Sequence, residues 1–472
     1  MAEEVSERAN RPLHVHFVGI CGTAMAAVAA ELHAQGCRVT GSDQGVYPPM
    51  STFLEEAGVR VTDGFAAENL VPAPDLVVVG NAVSRGNAEV EAVLERGLRY
   101  CSLPELIHWR FLPGKRSLVV TGTHGKTTTA ALSAWLLQAG GAQPSWLVGG
   151  VPVDLGRGFH LGEGPAFVLE GDEYDTAFFD KRAKFLHYAP HVVILNNLEY
   201  DHADIYEDLE AIRKSFRQLL RVVPRSGLLV ANADDPEVRA LLPLAPCPVV
   251  TYSVRDERAD WFGEGLPGRV RVRRPDGRRA ELRHGLVGRH QPWNVLAALA
   301  AAEAFGVDPG AAERGLASFA GVKRRAELRG EARGVLVYDD FAHHPTAIRS
   351  TLEGFRDTYP DRRLWAVVEP RSNTMRRRVF QDALVDAFGS ADEVCFRAVP
   401  NPEKVPDGRI LDLQGLASAL RARGLPARVF PDARAIVEEI VPRLAGGDVV
   451  VVMSNGGFEG IHEMLLAALR GR

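Results

Sequence analysis

Residues 117–138 read SLVVTGTHGKTTTAALSAWLLQ, and the order of residue types in this stretch decides the fold. Ser117–Thr121 is a short, apolar, β-branched run, the pattern of a buried strand. Gly122-Thr123-His124-Gly125-Lys126-Thr127-Thr128 follows without a gap, and from Ala130 onward Ala and Leu recur at helical spacing. Strand, glycine turn, Lys-Thr and helix in that order are the layout of a phosphate cradle. Glycines let backbone N–H groups turn inward on an anion, and the helix N-terminus adds partial positive charge. Gly122, Thr123, His124, Gly125, Lys126, Thr127 and Thr128 are therefore candidate nucleotide-binding residues. Lys126 would reach the outer phosphates, and Thr127 would offer its hydroxyl to Mg²⁺. General P-loop spacing puts a glycine five residues before Gly125, where this chain has Val120, so GTHGKTT is a tighter variant. The bland alternative is a glycine-rich turn in a parallel sheet, but the full context with Lys-Thr-Thr favours a nucleotide.

Working outward, the 472 residues suggest about three domains. Apolar residues at 46% and charged residues at 24% describe a soluble globular protein. A net charge of −5 argues against non-specific nucleic-acid binding, while leaving room for anionic ligands held by local geometry. The five cysteines (Cys21, Cys37, Cys101, Cys247 and Cys395) include no CxxC pair, which points to reduced thiols and a cytoplasmic location. The first residues, MAEEVSERANRP, form no apolar signal segment, and no run approaches the roughly 20 apolar residues that span a bilayer. Neither a nucleic-acid nor a membrane partner is expected.

Upstream, residues 1–114 read as one domain. Leu13–Ile20 is a first strand, Gly19–Met25 a glycine turn into an Ala-rich helix, and Cys37–Ser42 a second strand ending at Asp43. This is a Rossmann-like βαβ unit, although Cys21 replaces the second fingerprint glycine. A nucleotide diphosphate on the helix N-terminus fits as well as a dinucleotide. Gly22, Thr23, Ser42 and Asp43 are candidates to bind it. Arg85 and Asn87, in the loop after Asp75–Gly80, either hold phosphate or sugar or simply cap the next helix.

Residues 115–320 form a central P-loop domain. The strand Ala166–Leu169 ends in EGDEYD (170–175), and carboxylates at a strand end next to a phosphate cradle suit Mg²⁺. His191–Leu195 ends in a second polar cluster, where His202 is flanked by Asp201 and Asp204 and is a candidate ligand. Alternating runs between Pro248 and Gly285 predict a small antiparallel sheet beside the parallel one. His290 and Asn294 share a helical face and either approach a base or cap the helix.

Residues 321–472 read as a C-terminal Rossmann-like domain of alternating strands and helices. Val335–Tyr338 ends in Asp339, Asp340, His343 and His344, a concentration hard to explain by packing. Two further strand ends carry Arg371, Ser372 and Asn373, and Asn455.

With GTHGKTT (122–128), EGDEYD (170–175), NLEYDHAD (197–204) and YDDFAHHPT (338–346) on the page, the chain resembles the Mur ligases. These enzymes join amino acids or peptides to UDP-N-acetylmuramic acid in cell-wall synthesis. The resemblance implies an α/β protein of three domains: a UDP-sugar domain, a central ATPase and a C-terminal Rossmann-like domain. One branch of the family adds L-alanine. Another recycles the tripeptide L-alanyl-γ-D-glutamyl-meso-diaminopimelate, and GICGTAMAA, YPPMSTFLE, DEYDTAFFDKRAKF, NNLEYDHADIY, EPRSNTM and MSNGGFEGIH resemble that branch.

By the resemblance, the loop around Lys126 holds ATP phosphates. Thr127 and Glu170 resemble ligands of a first Mg²⁺, and His202 resembles a ligand of a second. His290 and Asn294 resemble adenine contacts, although the family's His-Asn pair here reads His290-Gln291. Arg325 and Asp339 resemble groups that reach ATP on closure, and His343 resembles a group near the reacting carboxylate. Arg371, Ser372, Asn373 and Asn455 are candidates to read the diaminopimelate. Some members carry a carbamylated lysine between the metals. None is found here, as in the alanine-adding branch. The expected chemistry is ATP-driven amide synthesis through an acyl phosphate, by a monomer or weak dimer. A P-loop nucleotide switch is the alternative of another class.

Overall fold

The computed structural model describes residues 12–47, 50–201, 205–400, 402–405 and 409–471. Three α/β units follow one another along the chain, each built on its own sheet. In the first, all neighbours are parallel, in the order Arg60–Asp63, Arg38–Asp43, His14–Val18, Leu76–Val79, Tyr100–Ser102. The strand order reverses beside His14–Val18, and a crevice opens there at the carboxyl ends, where open α/β sheets bind ligands.

The central sheet has ten strands. Its parallel core places Arg116–Thr121 between Val192–Leu195 and Ala166–Glu170, so the glycine turn leaves the middle of the sheet. The runs between 248 and 285 do not form a separate sheet. Val249–Ser253 and Trp261–Leu266 continue the parallel order, and the antiparallel strands Arg269–Arg273 and Arg279–Arg283 extend the same edge. A separate antiparallel pair is made by Asp175–Ala177 and Asp180–Ala183, directly after the acidic strand end. In the third sheet Val335–Asp340, Val449–Met453, Leu364–Val368, Glu393–Arg397 and Ala427–Phe430 are parallel, with Glu327–Ala332 antiparallel at one edge.

The helices follow from local chemistry. Leu209–Val222 starts at Asp208, whose side chain accepts from the Ala211 amide, and it buries Ile212, Phe216, Leu219 and Leu220 on one face. Lys126–Ala139 and Gln291–Ala304 are alanine-rich, almost wholly buried, and packed together in one core. Small side chains let these two axes approach closely, which brings Asn294 to the glycine turn.

The first and central units share a core, with Phe111 edge-on to Phe159 at 5.6 Å and His108 Nδ1 bonded to the His187 carbonyl at 2.6 Å. The central and third units meet through polar contacts. Arg289 donates to Asp357 at 2.6 Å, and His290 Nδ1 lies 2.8 Å from the Ser350 hydroxyl. A β-carbon on Gly354 would come within 2.2 Å of the Gly288 backbone, so glycine is required for this approach. Among the described residues no helix is long and apolar enough to cross a membrane.

One buried polar network organises the first unit. Glu89, with no exposed surface, accepts from Ser42 at 2.6 Å and Asn69 at 2.5 Å, and pairs with His16 at 3.2 Å. Burial works to raise the Glu89 pKa, but hydrogen bonds from His16, Ser42 and Asn69 outweigh it and hold the carboxyl below the usual range. Its stabilising contribution is therefore complete above the unfolded carboxylate's pKa and drains away as pH falls through the lower folded value. Glu89→Ala should cost about 3–5 kcal/mol of stability in urea unfolding, because it strands buried partners. Glu89→Gln should flatten the acid limb of stability against pH. Unchanged unfolding in both variants would contradict this account of the network.

Candidate functional site

The cradle is held from behind by strand-end amides. Gly122 and Gly125 adopt φ of +125° and +80°. A β-carbon on Gly122 would lie 2.9 Å from the Asn197 amide nitrogen, and one on Gly125 would lie 2.5 Å from Asn294 Oδ1. The Thr123 amide donates to the Asn197 carbonyl at 3.0 Å, and the His124 amide donates to Asn197 Oδ1 at 2.7 Å. Thr129 donates to Asn294 at 3.1 Å, and Asn294 donates to Gln291 Oε1 at 2.9 Å. Gln291 in turn reaches His290 Nε2 at 3.0 Å. Gln291 thus extends a chain from the turn to His290, whose pKa falls to about 4 through burial and the nearby His124 and Arg325 charges. His290 sits at the N-cap position without side-chain capping, so its role is not that of a cap. The first amides of the helix starting at Lys126 have no intrahelical partner and supply donors for an anion.

Lys126 points back over this turn. Its ammonium donates to the carbonyls of Gly122 at 2.7 Å and Thr123 at 3.2 Å, and to Glu173 at 2.8 Å. Burial works to lower its pKa, but Glu173, Asp172 and Glu170 prevail and raise it, so the charge is kept. Thr127 Oγ1 donates to Glu170 Oε1 at 2.7 Å, and Glu170 Oε2 accepts from the Gly149 amide at 2.7 Å. The four carboxylates of EGDEYD are thereby sorted: Asp172 faces Lys184, Glu173 faces Lys126, Asp175 faces Lys181, and Glu170 faces Thr127. A hydroxyl and a carboxylate oxygen beside a phosphate cradle fit Mg²⁺, a hard cation that prefers oxygen. His202 lies outside the described residues.

From the third unit, Arg325 enters the cradle. Its guanidinium donates to Thr127 Oγ1 at 3.2 Å and lies 4.7 Å from the Phe341 ring centroid. Asp339, expected with it to reach ATP, does not enter the cradle here. Successive strand residues face opposite sides, and Asp339 turns to the far side of the sheet against Arg324 at 3.4 Å and His462 at 3.4 Å. Asp340 is the carboxylate on the near side, accepting from the amides of Ala326 and Ala342 at 2.8 Å. Burial raises its pKa, with Arg325 opposing. His343 Nδ1 lies 2.9 Å from the Phe341 carbonyl. The carbonyl is an acceptor, so Nδ1 carries a proton.

A cavity of about 1460 Å³ connects the units. Gly22, Thr23, Asp43, Arg85, Asn87 and Asn373 line it together with Glu170. Asp43 accepts from the Cys21 amide at 2.7 Å and so fixes the first glycine turn. Arg85 is paired with Glu91, and Asn87 caps the helix Ala88–Glu95 while it borders the cavity. Ser42 does not reach the cavity: it is fully buried and its hydroxyl is spent on Glu89. Ser372 accepts from the Met375 amide at 3.0 Å, and Asn373 accepts from Arg376 at 2.6 Å. Arg371 lies on the Gly456 backbone, beside Asn455, whose Oδ1 is buried without a hydrogen-bond partner. An orphaned acceptor of that kind marks a place where a ligand donor fits. Sequence reading missed Glu173 as the partner of Lys126, and it named Asp340 only within the strand-end cluster, without separating it from Asp339. Strand alternation was the available signal for the second.

Fold and site together define a nucleotide-binding α/β protein whose cradle is completed by a second unit. Matches to family models agree: "Mur ligase family, catalytic domain" over residues 14–110, "Mur ligase middle domain" over 120–302 and "Mur ligase, glutamate ligase domain" over 324–456. The UDP-N-acetylmuramate–L-alanyl-γ-D-glutamyl-meso-2,6-diaminoheptandioate ligase of Escherichia coli (strain K12) is 43% identical over 97% of this chain and 98% of its own. The UDP-N-acetylmuramate–L-alanine ligase of Arthrobacter sp. (strain FB24) is 38% identical over 80% of this chain and 79% of its own. The crystal structure of a murein peptide ligase from Psychrobacter arcticus 273-4 superposes with a TM-score of 0.73 at 39% identity, covering 98% of this chain and 99% of that one. The chain belongs to the Mur ligase family.

The crowding at Gly125 is testable. Gly125→Ala combines a left-handed backbone with a clash against Asn294, and it should cost about 1–3 kcal/mol in thermal or urea unfolding. Asn294→Ala in the same chain should recover the steric part and leave the backbone part. Strictly additive losses would contradict the contact.

Proposed function

We propose that this chain is an ATP-dependent, ADP-forming ligase that joins L-alanyl-γ-D-glutamyl-meso-diaminopimelate to UDP-N-acetylmuramate in murein recycling. The observation that carries the reading is the continuous cavity from the glycine turn at Gly22 and Asp43 to Glu170 beside the cradle and Asn373 of the third unit. A sugar nucleotide, a triphosphate and an amine substrate need such an arrangement, with three binding regions converging on one point. Higher identity to the tripeptide ligase than to the L-alanine ligase supports the choice of amine. In this reading residues 1–114 hold the UDP-sugar, 115–320 hold ATP and 321–472 hold the peptide, in a cytoplasmic monomer.

The residues take the following parts. The turn Gly122–Thr128 wraps the phosphates, which take the backbone amides from Gly125 to Thr128 because those of Thr123 and His124 are held by Asn197, and Lys126 exchanges Glu173 for phosphate oxygens. His290, Gln291 and Asn294 form the neutral, hydrogen-bonding wall suited to a base. Thr127 and Glu170 would hold Mg²⁺, which when bound supplies positive charge between two approaching anions. Arg325 brings a further fixed charge to the same point, where the sugar's carboxylate meets the terminal phosphate. The resulting acyl phosphate needs shelter from water, and the Arg289–Asp357 and His290–Ser350 contacts close that side. His343 takes the proton of the attacking amine. Asp340, whose charge acts on Arg325, is the carboxylate on the cradle side. Arg371 and Asn455 are proposed to meet the distal diaminopimelate.

Incubation with ATP, Mg²⁺ and UDP-N-acetylmuramate plus either tripeptide or L-alanine tests the reading. Product and ADP should form with tripeptide. Product with L-alanine alone would select the alanine-adding reaction. ATP hydrolysis indifferent to both substrates would select a nucleotide switch. Lys126→Ala should lower the coupling rate by at least about 10²–10³-fold, the usual loss for one transition-state donor.

A further inference from the structure

We propose that His124, Glu199 and His344 form a binding site for a divalent transition-metal ion of the zinc type, bridging the central and third units. His124 stands on the glycine turn, Glu199 follows the strand Val192–Leu195, and His344 is the N-cap of the helix Pro345–Thr358. His124 Nε2 lies 3.3 Å and His344 Nδ1 lies 3.6 Å from Glu199 Oε2. One ligand atom from each residue lies within 4.8 Å of the others. Tetrahedral zinc with bonds of 2.0–2.1 Å separates its ligand atoms by about 3.3–3.4 Å, so both distances to Glu199 already match to within a few tenths of an ångström, and the two imidazoles, within 4.8 Å of one another, close on the ion by at most about 1.4 Å.

The donor set decides which ion. Two imidazoles with one carboxylate suit Zn²⁺ or Co²⁺, whereas Mg²⁺ takes oxygen ligands. This site is therefore chemically distinct from the hydroxyl–carboxylate pair of Thr127 and Glu170. Its outer contacts are built as well. Thr346 Oγ1 donates to Glu199 Oε2 at 2.7 Å and orients the carboxylate, while the Glu199 amide donates to Thr123 Oγ1 at 2.9 Å and holds its backbone to the glycine turn. The Thr346 amide reaches His344 Nδ1 only at 3.3 Å, a long bond that ligation would replace. Burial and the His124 charge pull the His344 pKa down to about 4, so the ring is neutral at pH 7. The His124 and Glu199 side chains keep 21% and 35% of their surface exposed, which gives an ion a way in. An ion held there would pin the third unit to the glycine turn.

Titration of the full chain with Co²⁺, in Mg²⁺ buffer without nucleotide, tests the site. One equivalent should bind with the visible absorption bands of a low-coordinate imidazole site. Zn²⁺ should displace it, and the melting temperature should rise. Glu199→Gln, and His344→Asn, which keeps a capping side chain, should each lose the bands and weaken Co²⁺ binding at least about tenfold. Circular dichroism identifies which variant is folded, and one folded variant suffices. Absence of the bands in the wild type, or their survival in a folded variant, overturns the proposal. Because the readouts are absorption and melting, the result is independent of whether the ligase reading holds.

Discussion

The constraint on which the site depends is that the glycine turn after Thr121 must hold two left-handed residues against a wall of side-chain amides. Asn197 takes the Thr123 and His124 amides, and Asn294 fills the space that a β-carbon on Gly125 would need. These residues come from a neighbouring strand end and from a separate helix, so the turn is shaped by the fold rather than by its own sequence. Its backbone donors are oriented before any anion arrives, and the ordering cost is met on folding rather than on binding.

Charge is arranged on the same principle. Lys126 is answered by Glu173, Arg325 faces Asp340 and Glu170, and Glu170 and Asp340 also accept from a hydroxyl or backbone amides. In the function proposed above, an incoming polyanion would exchange partners: Lys126 would give up Glu173, and Glu170 would give up the Thr127 hydroxyl. Such exchange loses less than taking bare charges out of water, because the low-dielectric setting is already built. The third unit contributes Arg325 directly to the cradle, so the site is complete only while the central and third units are in contact.

Much of this was legible in the sequence. Strand, glycine turn and Ala-rich helix at 117–138 have periodicities that tertiary packing did not override, and the polar strand ends marked the ligand-facing edge of each sheet. What was illegible depended on pairing across the fold. Asp339 and Asp340 are adjacent in sequence but face opposite sides of one sheet, and composition does not say which side is the cradle. Ser42 sits beside Asp43 at a strand end, but alternation sends it inward to Glu89, a residue 47 positions away. The EGDEYD cluster suggested a metal, yet three of its carboxylates answer lysines, a sorting that only the loop geometry reveals. The continuous edge at 269–283 was missed as such, because alternation reports antiparallel strands without reporting which sheet they join.

The central claim is that the amides from Gly125 to Thr128, at the start of the helix, hold the phosphates that drive the coupling. A crystal structure with a non-hydrolysable ATP analogue and Mg²⁺ tests it most directly. The account predicts the outer phosphates seated on those amides, the metal on Thr127 and Glu170, and the Lys126 ammonium moved from Glu173 to phosphate oxygen. Phosphate density elsewhere, with the Lys126–Glu173 pair undisturbed, would contradict it.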